Sequence, residues 1–499
     1  MNAMNLPLML PEIALAALGI VVLLADLALP KEKRHLLGWW VAAAFSAIVV
    51  WLFLRPAAAE PEYAAFGLFR LDGFAIFMKK VFALAGVLVA VMSVDWVKRH
   101  GRAAGEFFTI IVFTMTGMFL VASVNDLMSM FVSLELVTLS FFILAAFRVA
   151  DRVSGEAGIK YIIIGALAAA FMLFGSAFIY GATGQIRFDA IRGAIERLSG
   201  PAYPTLLFGA VVLLIGLGFK VASVPFHVWV PDVYQGAPTP VTAFLSVGSK
   251  AAGFVLIVRM LTLVFGDALS NELTPLLALV AALTLFYGNL AAIPQANIKR
   301  LMGYSSIGHA GYLLLGVVAI VGMQRAGLGY GSGVSAILFY LFAYVFTNMA
   351  VFLGIVVFSA TAGRRHAIDD YAGLGKRSPF LALTMTVAFL SLAGVPPLAG
   401  FFGKFYLITS VVEAASVPGN GWLLVLAAIG AVNVVVSMYY YLGVVKRMYM
   451  REPPENAAPI LIGAPVRIAL MACMILVVII GIFQGPFVKM ATAVMATIR

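Results

Sequence analysis

Glu135, Lys220, Lys250 and Lys404 each sit inside a long apolar run, and two of those runs are broken by proline within a few residues of the charge. A lysine in hydrocarbon costs about 2.5–3.5 kcal/mol on insertion scales, so such a set is hard to explain as filler. Amines and a carboxylate held away from bulk water are the parts of an ion or proton path. Two histidines accompany them: His227 in Pro225-Phe226-His227-Val228-Trp229, and His309 in Ile307-Gly308-His309-Ala310-Gly311. His227 reads either as a relay group or as a ring bonded to carbonyls freed by the proline break. His309 reads either as a relay group or as a satisfied polar core residue. Haem ligation by the pair is disfavoured, because no spacing around them supports it. No metal-ligand cluster, nucleotide-binding glycine loop or nucleophile–base pair is apparent in the sequence.

These groups need a scaffold that holds them deep. Of the 499 residues, 63% are hydrophobic and only 11% charged, with a mean hydropathy of +1.05. Soluble domains average about 25% charged residues, so this composition excludes a soluble protein. A hydrocarbon core of about 30 Å takes roughly 20 apolar residues per span, which predicts about 14 helices between residues 6–29 and 463–490. No loop is long enough for a globular domain. Thr239-Pro240 reads as an N-cap followed by proline at the first helical position. At about 1.5 Å per residue, Lys250 is then roughly 15 Å into its helix, near the midplane. Glu135 follows Asn125-Asp126, and His309 follows Lys299, by similar distances. Polar groups on different helices therefore share one depth, as a row in the membrane plane. A flexible cationic stem also reaches an interface by snorkelling. That suits Lys79-Lys80 and Arg259, leaves Lys160 open, and does not suit Lys250.

Prolines 225, 231, 238 and 240 crowd the segment Leu217–Pro240. Each removes a backbone donor and clashes with the preceding turn, so no continuous helix crosses here. A second break, Ala393-Gly-Val-Pro-Pro-Leu-Ala-Gly-Phe-Phe-Gly-Lys404, lies five helices later. Unwound backbone at membrane depth is tolerated only where it is buried in protein or lines a watery cavity. Paired interruptions in corresponding positions point to inverted repeats with ion sites near the midplane. The expected fold is an all-α polytopic membrane protein with two inverted five-helix repeats, each containing a broken helix. Residues 1–105 hold helices 1–3, 106–265 the first repeat (helices 4–8), 266–447 the second (helices 9–13) and 448–499 helix 14.

The net charge of +11 follows topology rather than nucleic acid. Connections after odd-numbered helices carry 17 lysines and arginines, and those on the other side carry 8. The positive-inside rule makes the richer side cytoplasmic and places both termini outside. No Lys or Arg precedes Lys31, and the first apolar run is long, so it does not read as a cleavable signal peptide. Cys473, the one cysteine, allows neither an internal disulfide nor an iron–sulfur cluster and reads as an inert core residue.

The run Lys220-Val-Ala-Ser-Val-Pro-Phe-His-Val-Trp-Val-Pro-Asp-Val-Tyr-Gln-Gly-Ala-Pro resembles the signature of the antiporter-like subunits of respiratory complex I, NADH:quinone oxidoreductase, and of multisubunit cation/proton antiporters. The likeness covers nearly the whole chain, including the helix layout and both breaks. Val395-Pro-Pro-Leu-Ala-Gly-Phe-Phe-Gly-Lys-Phe-Tyr406 is similar to the second break of the subunit N branch. The subunit M branch usually has glutamate where Lys404 stands, and the subunit L branch carries a long lateral helix after its last span, where this chain stops at Arg499. The resemblance implies that Glu135 of helix 5 pairs with Lys220 of broken helix 7. It makes Lys250 the central lysine of helix 8, Lys404 the terminal lysine of broken helix 12, and Lys160 a recurrent lysine at the start of helix 6. His227 and His309 match relay positions. The resemblance further implies a multi-pass protein of the bacterial inner membrane, with both termini periplasmic. Its partners would be other complex I membrane subunits, among them another antiporter-like subunit and small membrane subunits, within the lipid bilayer and without nucleic acid. No cofactor or metal is expected on this chain; NADH, FMN, iron–sulfur clusters and quinone would belong to other subunits of the translocase.

Burial disfavours the charged form of lysine and glutamate alike, and a neighbouring opposite charge restores it. Separating Glu135 from Lys220 would therefore bias Lys220 towards releasing its proton, for Lys250, His227, His309 and water to pass along the row to Lys404. Redox chemistry in partner subunits would drive the change. A subunit of a Na⁺/H⁺ antiporter or of a membrane-bound hydrogenase shares these motifs. A solute carrier would hold substrate at the breaks, where lysines stand instead of an obvious pocket. A scaffold would keep the lysines only to hold helices together.

Overall fold

The computed structural model describes residues 4–55, 60–100, 103–198, 200–362, 366–454 and 460–498. Arg102, Arg364, Arg365 and Arg499, counted above among the loop charges, lie outside the described residues. In hydrocarbon no water satisfies peptide groups, so an apolar chain bonds its backbone within each segment and folds as helices. These are α1 (Leu10–Ala28), α2 (Leu37–Leu54), α3 (Gly73–His100), α4 (Ala104–Ser123), α5 (Leu127–Ala145), α6 (Arg152–Thr183), α7 (Ala202–Val221), α8 (Val230–Gly236) and α9 (Thr239–Phe265). After them come α10 (Ser270–Ala292), α11 (Ile298–Gln324), α12 (Gly333–Ala362), α13 (Pro379–Ala393), α14 (Ala399–Ala415), α15 (Leu423–Met450) and α16 (Ala464–Ile482). Among the described residues, 13 helices are long and apolar enough to cross a membrane. The 15-residue α13 and 17-residue α14 are shorter than these spans. The chain is an all-α polytopic membrane protein.

The spans of α9, α11 and α12 are buried throughout, whereas only 28–33% of the residues in those of α1, α2 and α6 are buried. Polar side chains on α9, α11 and α12 therefore face other helices instead of lipid. Glycine lets two of the helices meet closely: a Cβ on Gly288 of α10 would collide with the backbone of Gly308 on α11.

Both breaks form where the prolines require them. Helix α7 stops at Val221, and Ala222 turns left-handed (φ 63°, ψ 38°). The last carbonyls take side-chain donors beside the capping amides of Ser223 and Ala222: Ser223 Oγ donates to Gly218 O (3.2 Å) and Trp229 Nε1 to Phe219 O (3.2 Å). Pro231 and Pro240 fall in the first turns of α8 and α9. The capping position of α9 is Pro238, so Thr239 is already helical and the expected cap is displaced by one residue. Helix α13 ends at Ala393 with Gly394 left-handed (φ 88°), and the Gly400 amide at the start of α14 donates to Ser391 Oγ (3.0 Å). A Cβ on Gly400 would run into the Ser391 carbonyl, so the chain folds back this tightly only with glycine there. The two breaks fall between α7 and α9 and between α13 and α14.

Helix α9 is irregular. π-helical turns at Leu245–Ser249 and Met260–Phe265 bracket regular α turns at Lys250–Arg259. Such turns are rare and concentrate at functional sites.

Candidate functional site

Lys220, Lys250 and Lys404 are each 2% exposed and His309 3%, so none of their polar ends reaches an interface. Lys220, in the last turn of α7, donates to Thr138 Oγ1 on α5. Thr138 lies one turn beyond Glu135 on that helix. Glu135 is half-buried, and its Oε1 is buried with no hydrogen-bond partner among the described residues. Glu135 and Lys220 interact electrostatically across the gap between their helices. The pairing implied by the resemblance is thus a coupling through space, with Thr138 taking the lysine's hydrogen bond.

Lys250 opens the regular turns of α9 and donates to the Ser306 carbonyl and hydroxyl on α11. The Ser306 hydroxyl is also bonded to Tyr234 Oη (2.9 Å), and the ammonium lies 5.3 Å from the Tyr344 ring centre. One turn along α11, His309 bonds through Nδ1 to Tyr340 Oη and through Nε2 to Tyr441 Oη (3.0 Å). Tyr441 also meets Ser305 Oγ. Lys404 donates to Ala393 O (3.1 Å) and Ser437 Oγ (3.3 Å) and lies 4.8 Å from the Tyr312 ring centre. Ala393 ends α13, so this ammonium occupies the negative end of a helix dipole, where a cation is favoured. A cavity of about 10 Å³, room for about one water molecule, is lined by His309, Tyr340, Tyr344, Thr347, Ser391 and Gly400. His309 interacts electrostatically with both Lys250 and Lys404. Phenols and serine hydroxyls both donate and accept, so this arrangement can pass a proton in either direction between two cations.

Other expected residues lie elsewhere. His227 is buried at the first break with its ring edge-on to Tyr287 (4.1 Å), and neither ring nitrogen has a hydrogen-bond partner among the described residues. The Phe219 carbonyl accepts from the Ala222 amide and from Trp229 Nε1, not from His227. Lys160 is outside the buried row: its side chain is 42% exposed and bonds Glu156 (2.7 Å) and Asp232 (2.7 Å), while Asp232 also holds Arg300 (2.5 Å). Lys79 and Arg259 correct the snorkelling expectation. Lys79 is 1% exposed and paired with Glu12 at 2.5 Å, and Arg259 is 0% exposed and paired with Asp72 at 2.5 Å. A buried carboxylate waits for each, and an ion pair closed inside the protein removes the need to reach water. Lys80 remains half-buried, 4.8 Å from the Phe53 ring centre. Cys473 is a buried free thiol.

Sequence reasoning missed the hydroxyls. Thr138, Tyr234, Ser306, Tyr340 and Tyr441 form the links, yet a tyrosine in an apolar run carries no signal by itself. The spacing of Tyr340 and Tyr344, four residues apart on one helical face, was the available clue. Tyr161, stacked on Trp229 (4.4 Å), places its hydroxyl near Ser249 and within electrostatic range of Glu135. Among the described residues no three His, Cys, Asp or Glu side chains gather as metal ligands.

Residues 124–435 match the model of the NADH:quinone oxidoreductase/Mrp antiporter transmembrane family. The chain is 40% identical over 487 residues to the NADH-quinone oxidoreductase subunit N of Moorella thermoacetica, covering 98% of each. It is 40% identical over 495 residues to that of Trichlorobacter lovleyi, covering 98% of this chain and 97% of the other. A chain of respiratory complex I from Thermus thermophilus with bound aureothin superposes with TM-score 0.77 and 31% identity, over 96% of this chain and 98% of that one. A chain of the membrane-bound sulfane sulfur reductase, an archaeal respiratory membrane complex, superposes with TM-score 0.82 and 26% identity over 98% of each. Near-full-length identity of this order, on a fold that carries both breaks and the buried lysines, shows that the chain belongs to the NADH-quinone oxidoreductase subunit N family.

Proposed function

We propose that protons cross this chain along the buried row, from the Glu135–Lys220 side through Lys250 and His309 to Lys404. As a member of its family the chain is a proton-translocating, antiporter-like membrane subunit of NADH:quinone oxidoreductase. One observation supports the route above others: Lys250 on Ser306, His309 between Tyr340 and Tyr441, and Lys404 on Ala393 form a buried succession of proton-exchanging groups spread over α9, α11, α12, α14 and α15. Glu135 controls the charge of Lys220 through space, so a change in their separation loads or empties the row. His227 and Lys160 serve the access side, Lys160 through Asp232 on α8. The two five-helix repeats, 106–265 and 266–447, each contribute one break and its lysine. The chain lies in a bacterial inner membrane with both termini periplasmic. It joins another antiporter-like subunit and small membrane subunits, and other subunits hold NADH, FMN, iron–sulfur clusters and quinone.

The test is NADH-driven proton uptake into vesicles carrying the whole complex. Lys220→Ala, which removes a group in the row, is expected to slow coupled proton transfer about tenfold. Glu135→Ala acts only through space and is expected to slow it about threefold, a weak Coulomb effect at this range. An unchanged rate of proton uptake in both variants removes the roles given to these residues.

A further inference from the structure

The end of α9 remote from Lys250 carries a second set of buried charges that the row does not use. Asp72 and Arg259 are both 0% exposed. Arg259 Nη1 donates to Asp72 Oδ2 (2.5 Å) and Nη2 to Oδ1 (2.8 Å), and Nη2 also reaches Ala122 O on α4 (2.9 Å). Asp72, one residue before α3, further accepts from Arg70 Nε (2.9 Å) and the Ala75 amide (2.8 Å). Arg70 Nη2 in turn donates to Thr497 O (3.1 Å). Burial pushes the Asp72 carboxyl up, but Arg259, Arg70 and the Ala75 amide outweigh that and hold it below its ordinary value. Lys79 pairs with Glu12 in the same region and also interacts electrostatically with Asp72.

Arg259 ends the regular turns that Lys250 begins. A π turn holds one residue more than an α turn. Its opening or closing therefore moves what lies beyond it by about 1.5 Å along the axis and about 100° around it. The 10-residue segment Lys250–Arg259 is thus a rod with a slipping joint at each end, an ammonium at one tip and a guanidinium at the other. We propose that the Asp72–Arg259 pair locks this rod in the register that lays the Lys250 ammonium on Ser306. A two-pronged guanidinium–carboxylate contact fixes direction as well as distance, and a joint that slips in rotation needs both. Asp72 and Arg259 are positioning residues, since neither touches the row. Their consequence for pumping rests on the relay reading of Lys250; the register of the rod does not.

The experiment uses the whole complex with Asp72→Asn, which keeps shape and removes charge, and separately Arg259→Lys, which keeps charge and loses the second prong. Cryo-EM density of α9 and protons moved per NADH are both read. In Asp72→Asn the rod is expected to shift by about 1.5 Å, one residue's rise, opening the Lys250–Ser306 contact and lowering the proton count towards that of Lys250→Ala. Arg259→Lys is expected to fall between Asp72→Asn and the unaltered complex. The double variant Asp26→Asn with Arg34→Gln, at a partly buried ion pair near the C-terminal end of α1 (3.2 Å), is expected to leave rod and proton count unchanged. An unmoved rod with Lys250 still on Ser306 in Asp72→Asn overturns the proposal. Failure of both lock variants to assemble, where the double variant assembles, overturns it as well, because the pair would then serve folding alone. An unchanged proton count in Lys250→Ala would count against the relay reading, while the displacement of the rod would still decide the lock.

Discussion

Lys404→Arg is expected to assemble normally and to move protons at about one-hundredth of the unaltered rate, the size of effect typical of losing a positioned proton donor. The substitution keeps a cation at the end of α13, so contacts with Ala393 O and Ser437 Oγ remain available. A guanidinium does not release its proton in a protein, whereas a desolvated ammonium does. Charge and proton exchange are thereby separated. Lys404→Met, which removes both, is expected to match the arginine variant in pumping and to be less stable, because the Ala393 carbonyl keeps only the long contact from Ser437 Oγ (3.5 Å). NADH oxidation and vesicle acidification, recorded together, give the answer. Proton transfer that survives Lys404→Arg would favour a scaffold role for this lysine.

His309 is the second place where bonding and proton exchange separate. In His309→Phe, the Tyr340 and Tyr441 hydroxyls each lose a partner in a fully buried site. An unsatisfied buried group costs about 1–3 kcal/mol, so the assembled complex is expected to melt earlier as well as pump poorly. His309→Gln can still bond both phenols and does not titrate. It is expected to restore thermal stability in a melting assay while leaving proton transfer about tenfold or more below normal, within the range of general acid–base effects. Equal pumping in the glutamine variant and the unaltered complex would make His309 a bonded core residue and no more.

The features legible in the sequence were those that violate a strong local rule. Clustered prolines remove backbone donors and clash with the preceding turn, so both breaks fell near Pro225 and Pro396-Pro397. Charge is expensive in hydrocarbon, so Lys220, Lys250 and Lys404 stood out, and all three are buried. Rise per residue put Lys250 deep in its helix, and the spans of α9 and α11 are buried throughout by other helices. What failed depended on partners far along the chain. Arg259 read as a snorkelling residue because nothing near it in sequence announces Asp72, 187 residues away. Lys79 failed in the same way, its partner Glu12 lying on another helix. The direct Glu135–Lys220 pair missed Thr138, since hydroxyls in membrane helices usually bond their own backbone, as Thr138 also does with Leu134 O (2.7 Å). The π turns of α9 left no mark in composition, because they arise from packing and not from any residue's preference.

Protons moved per NADH by the vesicle-reconstituted complex carrying Lys250→Ala, taken at the same oxidation rate as the unaltered complex, test the relay most directly. The side chain removed is the link between the Lys220 side and the His309–Lys404 side, so a smaller number is expected at equal electron flow. An unchanged number at equal electron flow contradicts proton passage through this row.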